Sequence, residues 1–463
     1  MHIPTTIKAL LLMLATALTG CASPALDLGQ QLAEQANREQ LELPVLPNEL
    51  TADTSAAVKT LLQQPLDFQS VAQLAVLNNP DFLAAMAALQ VSQADLAQAG
   101  LLPNPGLKIS RARSEEGYET ELEFGFDLFA LLFRNQQLAI AEHQANQQQY
   151  QLAEQLVALI AQSRLALADA VTAQQQYAYL LQVQDAIDAS AELANRMYQV
   201  GNYSALQQAR AQKYAAEVKL QLAQAQQRQI QSLEALYRQL GLWGSDLILQ
   251  LPEQLPALPE DFATNPNAEQ LAISQRLDLQ QARANLAAMA AQLELTQSSR
   301  FLRGLDAELS GSAQHSESRS LTLGFELPLF DRHRARLSKA QAQLQQQFYL
   351  AQAKAVNARS EVRLNQAMLA QQYHIALHYQ QQLLPLAKRI NQENVLRYNG
   401  MLIGVFELIA DTQAQVDTIT AAMQALNNFH QARIRFEQSL WGAAAPTSSA
   451  QPEASSAAAP AGH

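Results

Sequence analysis

The sequence predicts a mainly α-helical protein that also supplies four strands to a transmembrane β-barrel. Three observations predict this fold class: a composition dominated by helix-forming residues, a long unit that occurs twice, and two pairs of short segments in which apolar and polar residues alternate. Alternation with a period of two is typical of strands that separate an apolar surface from a wet one.

The composition indicates long helices that approach one another closely. Of the 463 residues, 48% are hydrophobic, but only 6% are aromatic and 16% are charged. Ala, Leu and Gln are abundant, and all three favour or tolerate helix. The formal net charge of -11 leaves no basic patch to neutralise phosphate groups, which argues against a nucleic-acid-binding protein.

The amino terminus has the pattern of a bacterial lipoprotein signal, which we place at residues 1–20. Lys8 is followed by an apolar run at 9–18, which suits a secretory signal and is too short to span a bilayer. Leu18-Thr19-Gly20-Cys21 resembles the lipoprotein cleavage box, in which the cysteine becomes the acylated first residue. The resemblance implies a covalent lipid on Cys21 and, because Ala22 follows it, the outer membrane. The alternative is an ordinary signal peptide with an incidental cysteine, and a single cysteine excludes an intrachain disulfide framework.

An internal duplication organises the rest of the chain. The copies span residues 70–244 and 267–442, with a proline-punctuated linker at 245–266. The matching segments are Ser70–Ala75 with Asn267–Ala272, Phe124–Leu128 with Leu323–Leu327, and Gly201 with Gly400. We predict an irregular segment at 21–69 and, because Ala, Pro and Ser dominate it, a disordered tail at 443–463.

Each copy predicts a helix, two strands, a long helix, a turn and a closing helix. In the first copy, residues 133–200 contain neither Gly nor Pro, and small or apolar residues recur in alternating steps of three and four. At 1.5 Å per residue this helix is roughly 100 Å long. The opening helix, Ser70–Gln98, and the closing helix after Ser204 together match that length, so we expect them to stack end to end beside it. The second copy repeats the arrangement from Asn267, with Pro385 inside its long helix.

The strand pairs carry one apolar and one acidic face. The first pair lies at about 106–113 and 118–128, and the second at about 305–310 and 320–327. An acidic face must contact water, because stacked carboxylates are not stable in a dry core. The residues predicted to face a barrel lumen are Glu119, Glu121, Glu123, Asp127, Asp306, Glu308 and Glu326. The alternative is a soluble two-layer sandwich with one solvated face.

Four strands are too few to close a barrel, whereas three chains supply twelve strands and a water-filled lumen. Closure would also remove every free sheet edge. We therefore predict a trimeric twelve-stranded barrel, four strands per chain, continued by a long α-helical barrel.

Several of these segments together resemble the TolC-like outer membrane efflux protein family. They are the duplicated unit, Leu101–Pro105 before the first strand, Leu277-Asp278-Leu279 in the second copy, and the turns Tyr198–Ser204 and Arg397–Gly400. The resemblance covers nearly the whole mature chain. The lipid-modified start resembles the subgroup that serves resistance-type pumps.

The resemblance implies a homotrimer in the outer membrane with a helical tunnel across the periplasm, docked to a periplasmic adaptor protein and an inner-membrane pump. The implied function is a passive exit duct of a tripartite efflux pump. The alternatives are an exit duct of a type I protein secretion system and a periplasmic coiled-coil adaptor without a pore. The residues implied at the periplasmic tip, in contact with the adaptor, are Tyr198, Gly201, Ser204, Tyr398 and Gly400. The two glycines are expected to adopt the positive φ that a short helical turn requires.

The predicted pore constriction departs from the family pattern. Some members carry aspartates six and nine residues after the tip glycine, and the corresponding residues here are Gln207 and Arg210 in the first copy. In the second copy they are Phe406 and Ile409, beside Glu407 and Asp411. The constriction residues are therefore Gln207, Phe406, Glu407, Ile409 and Asp411, and we hypothesise an apolar constriction formed by Phe406.

No pattern of catalytic residues is present. The sequence lacks a nucleophile–base set, a Gly-rich phosphate loop and an HExxH motif, so we predict that the protein is not an enzyme. His374 and His378 lie four residues apart on a predicted helix, but no nearby carboxylate or cysteine completes a metal site. We expect no metal or cofactor other than the lipid on Cys21, and we expect the acidic lumen to favour cations.

Overall fold

The computed structural model describes residues 54–114, 117–244, 249–299, 306–312, 318–324, 334–400 and 402–443. The elements in chain order are α1 (Thr54–Leu62), α2 (Phe68–Asn78), α3 (Pro80–Gly100), β1 (Gly106–Ser114), β2 (Gly117–Asp127), α4 (Leu128–Gln199), α5 (Ala205–Gln239), α6 (Ala268–Gln275), α7 (Leu277–Ser298), β3 (Asp306–Ser312), β4 (Ser318–Gly324), α8 (Arg334–His378), a π-helical turn (Tyr379–Leu383), α9 (Leu384–Asn399) and α10 (Val405–Trp441). The predicted signal, Cys21 and most of the carboxyl-terminal tail lie outside the described residues. Helix α1 falls within the segment that we predicted to be irregular.

The long helix α4 runs for 72 residues, about 110 Å at 1.5 Å per residue. The residues that recur in steps of three and four form a buried seam along α4, which includes Leu156, Ser163 and Leu180. The Ser163 hydroxyl donates to the carbonyl oxygen of Ile160 at 2.9 Å, which satisfies the polar group inside the seam. Helix α4 also contains an apolar stretch long enough to cross a membrane, but most of that stretch is buried against other helices of the same chain.

The shorter helices line up along α4 as predicted. At one end, Arg134 Nε of α4 donates to Gly100 O at the end of α3, at 3.0 Å. At the other end, Gln208 Nε2 of α5 donates to Asn195 Oδ1 of α4 at 2.7 Å. Between them, the start of α3 meets the end of α5. The three helices therefore form one long bundle.

The opening helices are not continuous, which corrects the prediction. Asn79 adopts an extended conformation between α2 and α3, and the two helices meet at a bend of 54°. Proline at position 80 explains the break, because a residue before proline is disfavoured in helix. In the second copy Arg276 separates α6 from α7 in the same way. The first opening helix also begins before the predicted Ser70: Asp67 caps α2, and Ser70 completes its capping box.

The four strands form one antiparallel sheet in the order β1-β2-β3-β4. The β2–β3 pair joins the two copies, with Phe124 opposite Leu309. Among the described residues, β1 and β4 each pair on one side only. The described residues contain the four strands that were predicted, and the mainly helical character of the fold is confirmed.

The linker between the copies is bound along the second copy. Its carbonyl oxygens accept hydrogen bonds from three helical side chains: Pro256 O from His430 at 2.8 Å, Pro259 O from Tyr373 at 3.2 Å, and Asn265 O from Gln366 at 2.7 Å. The ring of Tyr373 also stacks on Phe262, with 4.4 Å between the centroids.

Candidate channel wall and tip turns

One face of the sheet is apolar and exposed. The register places Leu107 opposite Phe124, Ile109 opposite Leu122, and Leu309 opposite Leu321. The large apolar side chains of this face are Leu107, Ile109, Leu122, Phe124, Phe126, Leu309, Leu321 and Leu323, which are between 42% and 67% exposed. A contiguous apolar surface of this kind marks contact with lipid or with another protein.

The other face is polar. Lys108 Nζ lies 2.9 Å from Glu123 Oε2, and the hydroxyls of Ser310 and Ser320 are 2.7 Å apart. Glu121 and Glu308 are on the same side of their strands and are exposed. The structure therefore brings three of the predicted lumen carboxylates to one face and adds a lysine that the sequence analysis did not single out.

The remaining predicted lumen residues do not extend this set. Asp127 has a structural role at the end of β2, because its carboxylate accepts the Ala130 N–H at 2.8 Å and caps α4. The strands include Glu119 and Asp306, but their side chains are outside the described part. Glu326 lies outside the described residues altogether.

The first tip turn is closed by a Schellman motif. Gly201 N–H donates to Tyr198 O at 2.9 Å, and Asn202 N–H donates to Met197 O at 2.8 Å. Gly201 has φ of 82°, so the predicted positive φ is confirmed here. Ser204 then starts α5 with a capping box: its hydroxyl accepts from Gln207 N–H at 3.3 Å, and Gln207 Oε1 accepts from Ser204 N–H at 2.8 Å.

The second tip turn differs, and the prediction for Gly400 is wrong. Gly400 has a φ of -80°. When the two copies are aligned on Gly201 and Gly400, α9 ends one residue later than α4. Gly400 is therefore the C-cap of α9 and not the residue that follows the cap. Leu402 N–H donates to Arg397 O at 2.8 Å and closes the turn. Gly400 therefore does not supply the left-handed residue.

Both tips expose apolar side chains. Val200 is 68% exposed and Leu402 is 78% exposed. Tyr198, Leu206 and Leu396 are also exposed, whereas Ser204 is a capping residue and Tyr398 is half-buried. A group of exposed apolar side chains marks a surface that contacts another protein or lipid.

The predicted constriction residues have separate environments. The side chain of Gln207 is held in the capping box, and Glu407 is exposed. Asp411 is half-buried and accepts a hydrogen bond from Asn394 Nδ2 across α9 and α10. The side chains of Phe406 and Ile409 are outside the described part, although both residues belong to α10.

Asn394 and Asn195 occupy corresponding positions in the two copies, one on α9 and one on α4. Each joins the long helix to the closing helix near the tip, Asn195 through Gln208 and Asn394 through Asp411. The sequence analysis missed this pair, although the repeat offset that matches Gly201 with Gly400 also matches Asn195 with Asn394.

The two copies also correspond at the helix breaks, where a residue between the opening helices binds the end of the closing helix. In the first copy, Asn79 Nδ2 donates to Gln239 O in the last turn of α5 at 2.9 Å. In the second copy, Arg276 Nη1 donates to Ser439 O in the last turn of α10 at 3.0 Å and to Glu361 Oε2 at 2.9 Å. One copy thus closes this junction with neutral amides and the other with a buried ionic cluster.

Metal binding has no support in the described part of the chain, where no three His, Cys, Asp or Glu side chains are placed to share an ion. His374 instead packs edge-on against Tyr373, with 5.8 Å between the ring centroids. The described surfaces are an apolar sheet face, a polar sheet face and two tip turns with exposed apolar side chains.

Comparison with solved structures identifies the fold. A membrane protein from Pseudomonas aeruginosa superposes with a TM-score of 0.70 at 18% identity, covering 81% of this chain and 93% of that chain. The CmeC outer membrane channel of Campylobacter jejuni gives 0.69 at 16% identity, covering 81% and 85%. The VceC outer membrane protein of Vibrio cholerae gives 0.67 at 17% identity, covering 83% and 96%. The fold is therefore that of outer membrane channel proteins.

One family model matches part of the sequence. The model of the family described as outer membrane efflux protein matches residues 71–242, which is the first copy. The resemblance inferred from the motifs is confirmed by this match and by the likeness of the fold to outer membrane channels. None of the curated proteins compared with the chain matches it. The matched family and the similar structures are those of outer membrane transport proteins.

Proposed function

We propose that three copies of this chain assemble into a passive outer membrane exit duct for a tripartite efflux pump. The observation that carries the proposal is the four-stranded sheet, which has one exposed apolar face, one polar face and, in the described part, a free side on both β1 and β4. Three such sheets joined edge to edge give twelve strands around a wet lumen. The apolar face would then contact lipid.

The helices support the same assembly. Apolar side chains that no other described element covers occur far from the sheet, among them Leu220 and Ile230 on α5 and Val356 and Leu364 on α8. Rods with exposed apolar positions need neighbours, and a closed trimer supplies them.

Single-channel conductance and mass in mild detergent test the proposal. We expect the wild type to be a trimer that conducts ions. Phe124→Lys puts a charge on the lipid face and should reduce insertion, at a cost of about 2–4 kcal/mol near mid-membrane, whereas Thr322→Lys on the polar face should insert normally. A chain that conducts as a monomer, or that dissolves without detergent, would contradict the proposal.

We also propose that the tips dock to a periplasmic adaptor protein and, through it, to an inner-membrane pump. The exposed Val200, Leu206 and Leu402 support this partner, because exposed apolar side chains at the end of a helical hairpin suit helix-to-helix docking. Val200→Asp should abolish co-purification with the adaptor and leave the trimer intact. Gln227→Asp, at an exposed polar position of α5 that is remote from the tip, serves as the comparison and should retain the adaptor.

The proposed anchor is a lipid on Cys21. Acyl chains contribute about 0.8 kcal/mol per buried CH₂, and several chains on one residue would hold the amino terminus on the membrane. Incorporation of labelled palmitate into the wild type and its loss in Cys21→Ser would support the anchor. Label retained in Cys21→Ser would contradict it.

Two proposals concern the lumen. Glu121, Glu123 and Glu308 should favour cations, so the reversal potential in a salt gradient should move toward zero in Glu121→Gln; anion preference of the wild type would refute this bias.

We further propose that Phe406 narrows the periplasmic mouth. Conductance should rise in Phe406→Ala, and an unchanged value would remove the hypothesis.

A further inference from the structure

The apolar face of the sheet ends in a pair of arginines. Along β1, the alternation that places Leu107 and Ile109 on the apolar face continues with Arg111 and Arg113 on the same side. In register, Arg113 lies opposite Tyr118 on β2. The face therefore changes from apolar to basic near the β1–β2 connection.

Tyr118 holds both guanidinium groups. Arg111 Cζ lies 4.3 Å from the centroid of the Tyr118 ring, and Arg113 Cζ lies 5.9 Å from it. All three side chains are exposed. No carboxylate forms an ion pair with either arginine in the portion of the chain described. Two adjacent cations on one aromatic ring form a site that an anion would stabilise.

The position of Arg111 and Arg113 along the proposed barrel indicates which anion they would bind. Helix α4 starts at one end of β2, and Tyr118 lies at the other end. Arg113 is four residues beyond Ile109, which corresponds to about 13 Å along a strand. In a barrel whose helices extend into the periplasm, this position is where the acyl chains of the outer leaflet give way to phosphorylated headgroups.

We propose that Arg111 and Arg113, positioned by Tyr118, bind a phosphate group of the outer-leaflet lipid whose acyl chains cover the adjoining apolar face. The planar guanidinium matches two phosphate oxygens at once, and tyrosine suits a boundary between apolar and wet surroundings. Continuity with the exposed Ile109 favours a lipid over free phosphate, because the same ligand then covers both surfaces. The proposal rests on the proposed barrel and goes beyond it by assigning a specific lipid contact.

Lys108 provides a matched control. It lies on the same strand but on the polar face, where it pairs with Glu123. Replacing it removes one positive charge from β1 without changing the lipid-facing side. If lipid binding depended only on the net positive charge of β1, replacing Lys108 would weaken it as replacing the arginines does. If the arginines form a specific site, only their replacement should weaken it.

The test is titration of the full-length protein in mild detergent with bisphosphorylated lipid A and with the same lipid after removal of both phosphates, followed by native mass spectrometry. We expect the wild type to bind the phosphorylated lipid at least about tenfold more tightly, as expected for loss of charge-assisted hydrogen bonds. The Arg111→Gln/Arg113→Gln variant should lose that preference, and Lys108→Gln should keep it. Inorganic phosphate at millimolar concentration should not displace the lipid.

Three results would overturn the lipid site: equal binding of the two lipids by the wild type, an unchanged preference in the double variant, or displacement by inorganic phosphate. The comparison of the two lipids uses the wild type alone, so it does not depend on the folding of a variant. Conductance and trimer mass are measured on the same samples. A conducting trimer without the lipid preference removes this site and leaves the channel, whereas a protein that neither trimerises nor conducts removes the channel itself.

Discussion

The guanidinium of Arg276 forms a two-point hydrogen bond with the carboxylate of Asp278, with Nε 3.0 Å from Oδ1 and Nη2 2.9 Å from Oδ2. The side chain of Arg276 is 2% exposed. Burial alone would lower the pKa of Arg276, but the hydrogen bonds and charges of Asp278 and Glu361 outweigh it and raise that pKa. Arg276 Nη1 also donates to Ser439 O, so this residue joins the start of α7 to the end of α10.

Breaking that pair should be costly. Asp278→Asn removes the negative charge that faces the buried guanidinium of Arg276. We therefore expect the free energy of unfolding to fall by about 3–5 kcal/mol. Denaturant unfolding in detergent measures it. The corresponding Asp81→Asn in the first copy is the control, because Asp81 is exposed, and it should cost less than about 0.5 kcal/mol. Equal losses at the two positions would show that the ionic pair has no special role.

The two tip glycines should respond differently to alanine. Gly201→Ala forces a Cβ into the left-handed region at φ 82° and should destabilise the protein by about 1–2 kcal/mol. Gly400→Ala should have little effect, because φ is -80° and the new Cβ would lie 3.5 Å from its nearest neighbour, the carbonyl oxygen of Leu396. Melting temperatures of the two variants in the same detergent provide the comparison, and a larger loss at Gly400 would contradict the assigned turn geometry.

The Asn394–Asp411 bond should stabilise the second tip. Asn394 is 8% exposed, so Asn394→Ala removes a buried donor and leaves the half-buried carboxylate without it. We expect a loss of about 1–3 kcal/mol and faster amide hydrogen exchange in α9 and α10. Asn195→Ala is the matched control, and it should cost less because its partner Gln208 is neutral. Unchanged exchange in α9 after the Asn394 substitution would refute this role.

His430 should make stability depend on pH. Burial lowers the pKa of His430; the hydrogen bond to Pro256 O opposes this, Arg433 adds to the lowering, and Glu437 opposes it. The folded-state pKa is thus below the ordinary histidine value of about 6.5. The unfolded chain then binds more protons in acid, so stability is fully present above about pH 6.5 and is lost as the pH falls toward the folded-state value.

Melting temperatures between pH 8 and pH 5 measure this dependence. His430→Gln, which retains a side-chain donor, should flatten the profile, whereas the exposed His374→Gln should leave it unchanged. A wild-type profile without any decrease in acid would exclude His430 as a contributor.

Local rules predicted much of the fold, because they depend on neighbouring residues. The heptad steps identified the buried seam of α4 through Leu156 and Leu180, and the alternation around Phe124 identified the two faces of the strands. Gly201 also follows a local rule for helix ends. Gly400 does not, since a one-residue extension of α9 moved it out of the left-handed position.

Contacts between distant segments could not be predicted from the sequence in the same way. Arg276 and Glu361 are hydrogen-bonded but far apart in the chain, and neither residue has a local pattern that announces the other. Similarly, Arg111 and Arg113 follow the apolar alternation of β1, but only the register with β2 places Tyr118 beside them.

The sequence by itself determined the periodicities: which residues form long helices, which strands have two unlike faces, and that one unit occurs twice. Periodicity is a property of a single element, and it needs no knowledge of what packs against that element. Only the tertiary structure decided that β2 pairs with β3 to make one sheet, that the linker carbonyls accept from His430 and Tyr373, and that the two copies close their helix junctions with different chemistry. Those outcomes depend on the relative placement of distant helices and strands, which is set by the packing of the whole chain.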